Sequence, residues 1–337
     1  MKTDRIDFSG HAIRYNDNYL YYTYDPYNPL NLPAFTVRLL MVDGWRPLSA
    51  TYYTQVSESP NVWDYTNTNT SWGNLGLYSN LLEILGANTT GIVSMIRTFQ
   101  NCSNLRYVAP FDMSTVTDAF GLFEGAISLT VAPNLNLRNV NRIAYLYAKC
   151  RSLATVPTID LYGVTDAHGI FCMAEYTVSY YKNNPNNVLQ SVSFINGDDM
   201  WYGTELFSCC TALTSVTGLE NCPFQATNFM FDDCTSLVNI PDIDLSRVYN
   251  TSAMFRDCTS ITEVPDYDVS AVTSTGGMFR NCTHVQSGAL SLYNKLSQNT
   301  YSDDTKYAGC FENCGSGTAS GQAELAQIPT SWGGTMA

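Results

Sequence analysis

Charge is the scarcest feature of this 337-residue chain: only 14% of residues are charged, and 17 Lys and Arg stand against 30 Asp and Glu, a formal net charge of −13. With no Lys/Arg-rich run, counterion release from a phosphate backbone has no source, so nucleic acid is excluded as a partner. The same deficit disfavours an anionic membrane surface. Histidine is scarcer still, with His11, His168 and His284 in three separate contexts. A nucleophile needs a base within hydrogen-bond reach, and no Gly-x-Ser-x-Gly, Gly-x-x-x-x-Gly-Lys or His-Glu-x-x-His occurs. No catalytic residue and no cofactor are therefore expected. Long apolar runs are also missing. The stretch from Phe35 to Val42 is broken by Thr36 and Arg38 and falls far short of the ~20 residues that span a bilayer, so no membrane insertion is expected. Asp4, Arg5 and Asp7 stand where a secretory signal would be apolar, so none is expected there.

What is present is periodic. Cys210, Cys234, Cys258 and Cys282 lie 24 residues apart, and Cys102 and Cys150 lie two such periods apart with Ala126 between them. Three residues before each mark stands an aromatic: Phe99, Phe123, Tyr147, Phe171, Phe207, Phe231, Phe255 and Phe279. Three residues after it stands an aliphatic, as at Leu105, Leu129, Leu153, Leu213, Leu237, Ile261 and Val285. Pro, Asp and Val rows follow on the same clock, including Asp112, Asp160, Asp244 and Asp268. Too few residues fall in each period for two helices, so the pattern predicts a mostly β solenoid in which each coil of about 24 residues buries its apolar rows against its neighbours. A short strand around Ser-Leu-x-x-Val-Pro is expected to pair in parallel with those above and below. The Met-Phe pairs at 230–231, 254–255 and 278–279 are expected on a helical or 3₁₀ turn opposite.

The chain then divides into three. Residues 1–77 do not keep the clock and read as a small β-rich N-terminal domain that anchors and caps the array. Residues 78–319 form the array, with insertions near 175–200 and 290–310, and residues 320–337 form a C-terminal cap. The motif Phe-x-x-Cys-x-Ser-Leu-x-x-Val-Pro-x-x-Asp-x-Ser-x-Val-Thr, read at Phe231 to Tyr249 with Ile240 for the first Val and Tyr249 for the Thr, and again at Phe255 to Thr273 with Ile261 for the Leu, resembles the BspA-like leucine-rich repeats of bacterial surface proteins. That resemblance implies a leucine-rich-repeat-type solenoid.

The row cysteines are expected to be small buried apolar groups, because stacked parallel strands hold their Cβ vectors parallel and make bridging along the row awkward. Off the row, Cys172, Cys209, Cys222 and Cys310 are either bridged or free. No Cys-x-x-Cys and no nearby histidine pair supports a metal. The Asp row is expected to close turns through backbone amides, with Ca²⁺ as the sharper alternative.

Asn61-Val-Trp-Asp-Tyr65, an array, and a close on Ile328-Pro-Thr-Ser-Trp-Gly-Gly334 are together similar to structural proteins of phages that infect gut bacteria. This looser resemblance implies a non-enzymatic virion fibre or decoration protein, assembled in host cytoplasm. It would contact other virion proteins and a host-surface glycan or protein, and a homo-oligomer is compatible with it. The alternative is a bacterial cell-surface adhesin. The Tyr- and Asn-rich insertion, through Tyr176, Tyr180 and Tyr181 with Trp201 and Tyr202 as partners, is the expected binding site, because such residues stack on sugars and hydrogen-bond hydroxyls.

Overall fold

A computed structural model describes residues 92–174 and 187–336, together with four short strands before them. These are β1 (Arg14–Asn16), β2 (Tyr19–Tyr21), β3 (Val37–Leu39) and β4 (Leu81–Ile84). β1 and β2 form an antiparallel pair. β3 pairs in parallel with β4, and β4 with β5 (Tyr107–Val108), at Glu83↔Tyr107 and Ile84↔Val108. A strand from the first 77 residues thus extends the sheet of the array by one member.

Beyond β5 the chain winds so that equivalent residues of successive windings pair in parallel. The longest such row runs Ser94, Asp118, Arg142, Asp166, Tyr202, Ala226, Asn250, Ser274, each bridged to the next. The step from Asp166 to Tyr202 spans 36 residues instead of 24 without breaking the row. On the other side, β6 (Ile159–Asp160), β7 (Ser191–Ile195) and β8 (Ser215–Thr217) form a parallel sheet. Because Ser191 pairs with Ser215 and Val192 with Val216, residues from Asn187 onward are already back on the 24-residue clock. Of the insertion expected near 175–200, the part from Asn187 onward is in register with the array, and residues 175–186 lie outside the described ones. The second interruption holds α1 (Ala289–Leu296) and a 3₁₀ turn at Asp304–Lys306. At the far end are α2 (Ala319–Leu325) and the turn Thr330–Trp332.

The interior is a ladder of rings. Phe99, Phe123, Tyr147, Phe171, Phe207, Phe231, Phe255 and Phe279 stack face to face with centroids 5.1 to 5.8 Å apart. Phe311 continues the row at 6.3 Å, beyond the second interruption. Each ring is at most 3% exposed, and burying one contributes about 2–3 kcal/mol before stacking is counted. All eleven cysteines are free and buried. The row thiols have a partner within the ladder: Cys150, Cys210, Cys234, Cys258 and Cys282 each donate from Sγ to the carbonyl of the aromatic residue one winding earlier, at 3.0 to 3.3 Å. Burial pushes the Cys102 and Cys150 thiols up to about 12, so neither is a nucleophile at neutral pH.

The segment carrying the rings is not helical. Its amides alternate in direction: Arg97, Phe99 and Asn101 donate to Phe120, Leu122 and Glu124 of the next winding, while Thr98, Gln100 and Cys102 donate back within their own. This alternation needs left-handed backbone one and five residues before the cysteine row. Residues there, such as Arg97, Asn101, Gly125, Lys149, Asp233, Asp257 and Asn281, have φ between +55° and +74°. A non-glycine side chain in that conformation costs roughly 1–2 kcal/mol, offset by amides that each find a carbonyl across the stack. Met254-Phe-Arg-Asp-Cys258 returns as Met278-Phe-Arg-Asn-Cys282, and the one change falls at this position because Asp and Asn both tolerate it better than most residues.

Candidate functional site

The Asp row closes turns. Asp112, Asp160, Asp244 and Asp268 each accept the backbone N–H two residues on, at 2.8 to 3.1 Å, and Asn136 does the same at 3.2 Å. An amide side chain serves as well as a carboxylate because the task is accepting one N–H. The Ser246 and Ser270 amides hold the Asp244 and Asp268 carboxyls below the usual range. No group of three or more His, Cys, Asp or Glu among the described residues is arranged to share a metal ion.

The outward side of the ring-bearing segment carries two different networks. Over windings 97–168, the Arg142 guanidinium lies 4.1 Å from the Phe120 ring centroid and that of Arg97 lies 5.1 Å from it. Tyr145 meets Phe120 and His168 edge to face at 5.5 and 4.8 Å. Arg142 reaches Asp118 at 3.5 Å and Asp166 at 3.3 Å, its two neighbours in the bridged row. His168 Nδ1 sits 2.5 Å from Asp166 Oδ1, so this imidazole is held by a carboxylate and packed by a phenol.

Over windings 205–281 the chemistry is acidic and deeper. Asp232 is 1% exposed, and Arg256 grips it with both arms, Nε at 2.8 Å and Nη2 at 2.6 Å. Next to it, Asp233 Oδ2 is buried without a hydrogen-bond partner, and Asp257 accepts from Asn281 Nδ2 at 2.7 Å. Burial pushes Asp232 up to about 6 against the pull of Arg256; burial, then the charges of Asp232 and Asp257, push Asp233 up to about 6.

Of the residues expected to bind, Tyr176, Tyr180 and Tyr181 lie outside the described residues. Trp201 and Tyr202 are 45% and 40% exposed, and they open a ring-bearing segment. Asn187, 6% exposed, anchors the chain where it rejoins the stack: it donates to the Cys209 carbonyl at 2.7 Å and accepts from Ala212 N at 3.2 Å. His284 is exposed, with Nδ1 2.6 Å from the Thr259 carbonyl oxygen. Sequence reasoning missed Tyr249, which is 48% exposed and falls in the same row as Trp201. The shared clock was the signal that could have found it.

The family described as "Mycoplasma protein of unknown function, DUF285" matches residues 93–211 and 225–315. That is more than half of the chain, and the protein belongs to this family. No curated protein matches it significantly.

Proposed function

We propose that this chain is a display and binding rod, a leucine-rich-repeat-type solenoid of the BspA-like kind that acts by adhesion and not by catalysis. One observation carries the reading. The bridged row from Ser94 to Ser274 is unbroken although the sequence carries twelve extra residues between Ala174 and Asn187. Such a scaffold tolerates insertions on its outside while its interior stays regular, which is what a presenting surface requires.

In the preferred setting the rod is part of a phage particle, as a fibre, decoration or tail-associated protein facing a host-surface glycan or protein. The family description, which speaks of a bacterial protein, favours a second setting, the surface of a bacterial cell. Mass spectrometry of purified particles and of washed cell envelopes decides between them. Enrichment with capsid or tail proteins is expected, and recovery in envelopes alone would move the protein to the cell surface.

A further inference from the structure

We infer that Trp201, Gln225 and Tyr249 form a strip that binds a neutral oligosaccharide lying along the stack, an inference that rests on the adhesive reading above. The three are direct neighbours across windings: Gln225 N donates to the Trp201 carbonyl at 2.8 Å and Tyr249 N to the Gln225 carbonyl at 2.9 Å. Their side chains share one outward face. Trp201 is 45% exposed, Tyr249 is 48% exposed and Gln225 is exposed between them. Two windings at the spacing of hydrogen-bonded strands put the two rings ~10 Å apart along the axis.

The composition of the row selects the ligand. It continues as Val93, Thr117, Asn141 and Thr165 on one side and Thr273 on the other, with no charged residue, although the chain carries a net charge of −13. A charged glycan would find no counter-charge in this row. A pyranose has an apolar C–H face that stacks on an aromatic ring and a rim of hydroxyls that needs amides and hydroxyls, and the row offers both in alternation. A protein partner would instead seek a contiguous apolar anchor, and here the rings stand apart with a polar residue between them. Trp and Tyr present these faces at low entropic cost, since each fixes only two side-chain torsions on ordering. Tyr202, next to Trp201 in the bridged row and 40% exposed, borders the strip.

The test is an array of neutral, sialylated and uronic-acid oligosaccharides probed with the full chain, then with Trp201→Ala, Tyr249→Ala, Gln225→Ala and Tyr162→Ala. Tyr162 is 59% exposed but lies in another row, so it serves as the control. Neutral oligosaccharides should be retained. Each ring substitution should weaken binding about tenfold, the two together should abolish it, and Gln225→Ala should cost several-fold. Tyr162→Ala should bind like the parent, and all four variants should melt with it because the side chains are on the surface. Undiminished binding by the ring variants, retention of anionic glycans only, or attachment to a host surface that survives removal of its glycans would each overturn the strip. Those outcomes leave the rod's location in particle or envelope untouched. Conversely, its absence from both with glycan binding intact would remove the proposed setting and spare the strip.

Discussion

The outer sides of the two halves of the array differ although the same backbone underlies both. Over windings 97–168, exposed guanidiniums lie on aromatic rings, with Arg142 41% exposed and shared between two partly exposed carboxylates. Over windings 205–281, Asp232 is sunk to 2% side-chain exposure against Arg256, and Asp233 beside it has a buried oxygen with no partner. Beneath both, rings stack at nearly constant spacing and thiols donate to ring-residue carbonyls. The interior is therefore set by the repeat, while each stretch of surface is free to take its own electrostatics. The two halves should respond alike to changes in the core and differently to changes in charge.

The largest effect tests the first half of that statement. Phe123→Ala and Phe231→Ala each remove a fully buried ring stacked on both sides, and each should cost about 3–5 kcal/mol in denaturant unfolding. A cost confined to one half would break the comparison. The next effect tests the second half. Arg256→Ala strands a buried carboxylate and should cost about 3 kcal/mol. Arg142→Ala removes two partly exposed ion pairs and a contact with the Phe120 ring and should cost about 1 kcal/mol, and only its effect should shrink as salt is added. Equal losses would mean that depth does not separate the two faces.

Why some of this was legible in the sequence and some not follows from what repeats. The buried rows repeat a chemistry, so Phe99 to Phe279 can be read off in order, and Phe311 was missed only because the chain had left phase by eight residues before it. The left-handed positions repeat a conformation. Arg97, Gly121, Tyr145, Glu205 and Phe229 have little in common except positive φ, so no row of like residues announces them. Their companion position, with Asn101, Gly125, Asp233, Asp257 and Asn281, did carry a signal in its Asn, Asp and Gly content. The Met-Phe pairs suggest a helical or 3₁₀ turn there by their packing, whereas the alternating amide directions that exclude one leave no mark on the residue type of the pairs themselves. Asn186 stands in the cysteine row and hides in the sequence that Leu189 and Val192 are back in phase with Leu213 and Val216. The charge networks join residues 24 apart and were invisible to local motifs.

Acidity separates the faces more finely. With Asp233 at about 6 in the folded chain against an ordinary 3.8, the folded state holds the proton more tightly than the unfolded one. Its contribution is then fully present below about pH 4 and is lost as pH rises through about 6. Asp232, raised in the same direction, adds to the trend. Melting temperature should fall between about pH 4.5 and about pH 7.5, and Asp233→Asn should flatten that fall and raise the melting point at the upper end. Asparagine suits the position, since Asn101, Asn281 and Asn313 already occupy its row at φ of +59° to +63°. An unchanged slope would mean that the buried oxygen of Asp233 is not the source of the pH dependence.

The smallest effect returns to what the halves share. Gly121 and Gly277 occupy the same left-handed position on opposite halves, at φ of +59° and +66°. A Cβ added at Gly277 would meet nothing closer than 3.9 Å, and one added at Gly121 would meet only the Arg97 and Glu124 side chains at 3.2 Å, which can move aside. Gly277→Ala therefore isolates backbone strain from collision, and Gly121→Ala adds little to it. Each should cost about 1 kcal/mol in denaturant unfolding, with the slope of the transition unchanged. The comparison is informative because Arg97, Tyr145, Glu205 and Ala253 already bear the same strain at this position. If alanine proved neutral at both sites, the cross-winding amides would be holding the left-handed backbone without detectable strain. A loss at Gly277 with none at Gly121 would show instead that the acidic half alone sits near the limit of what the repeat can absorb.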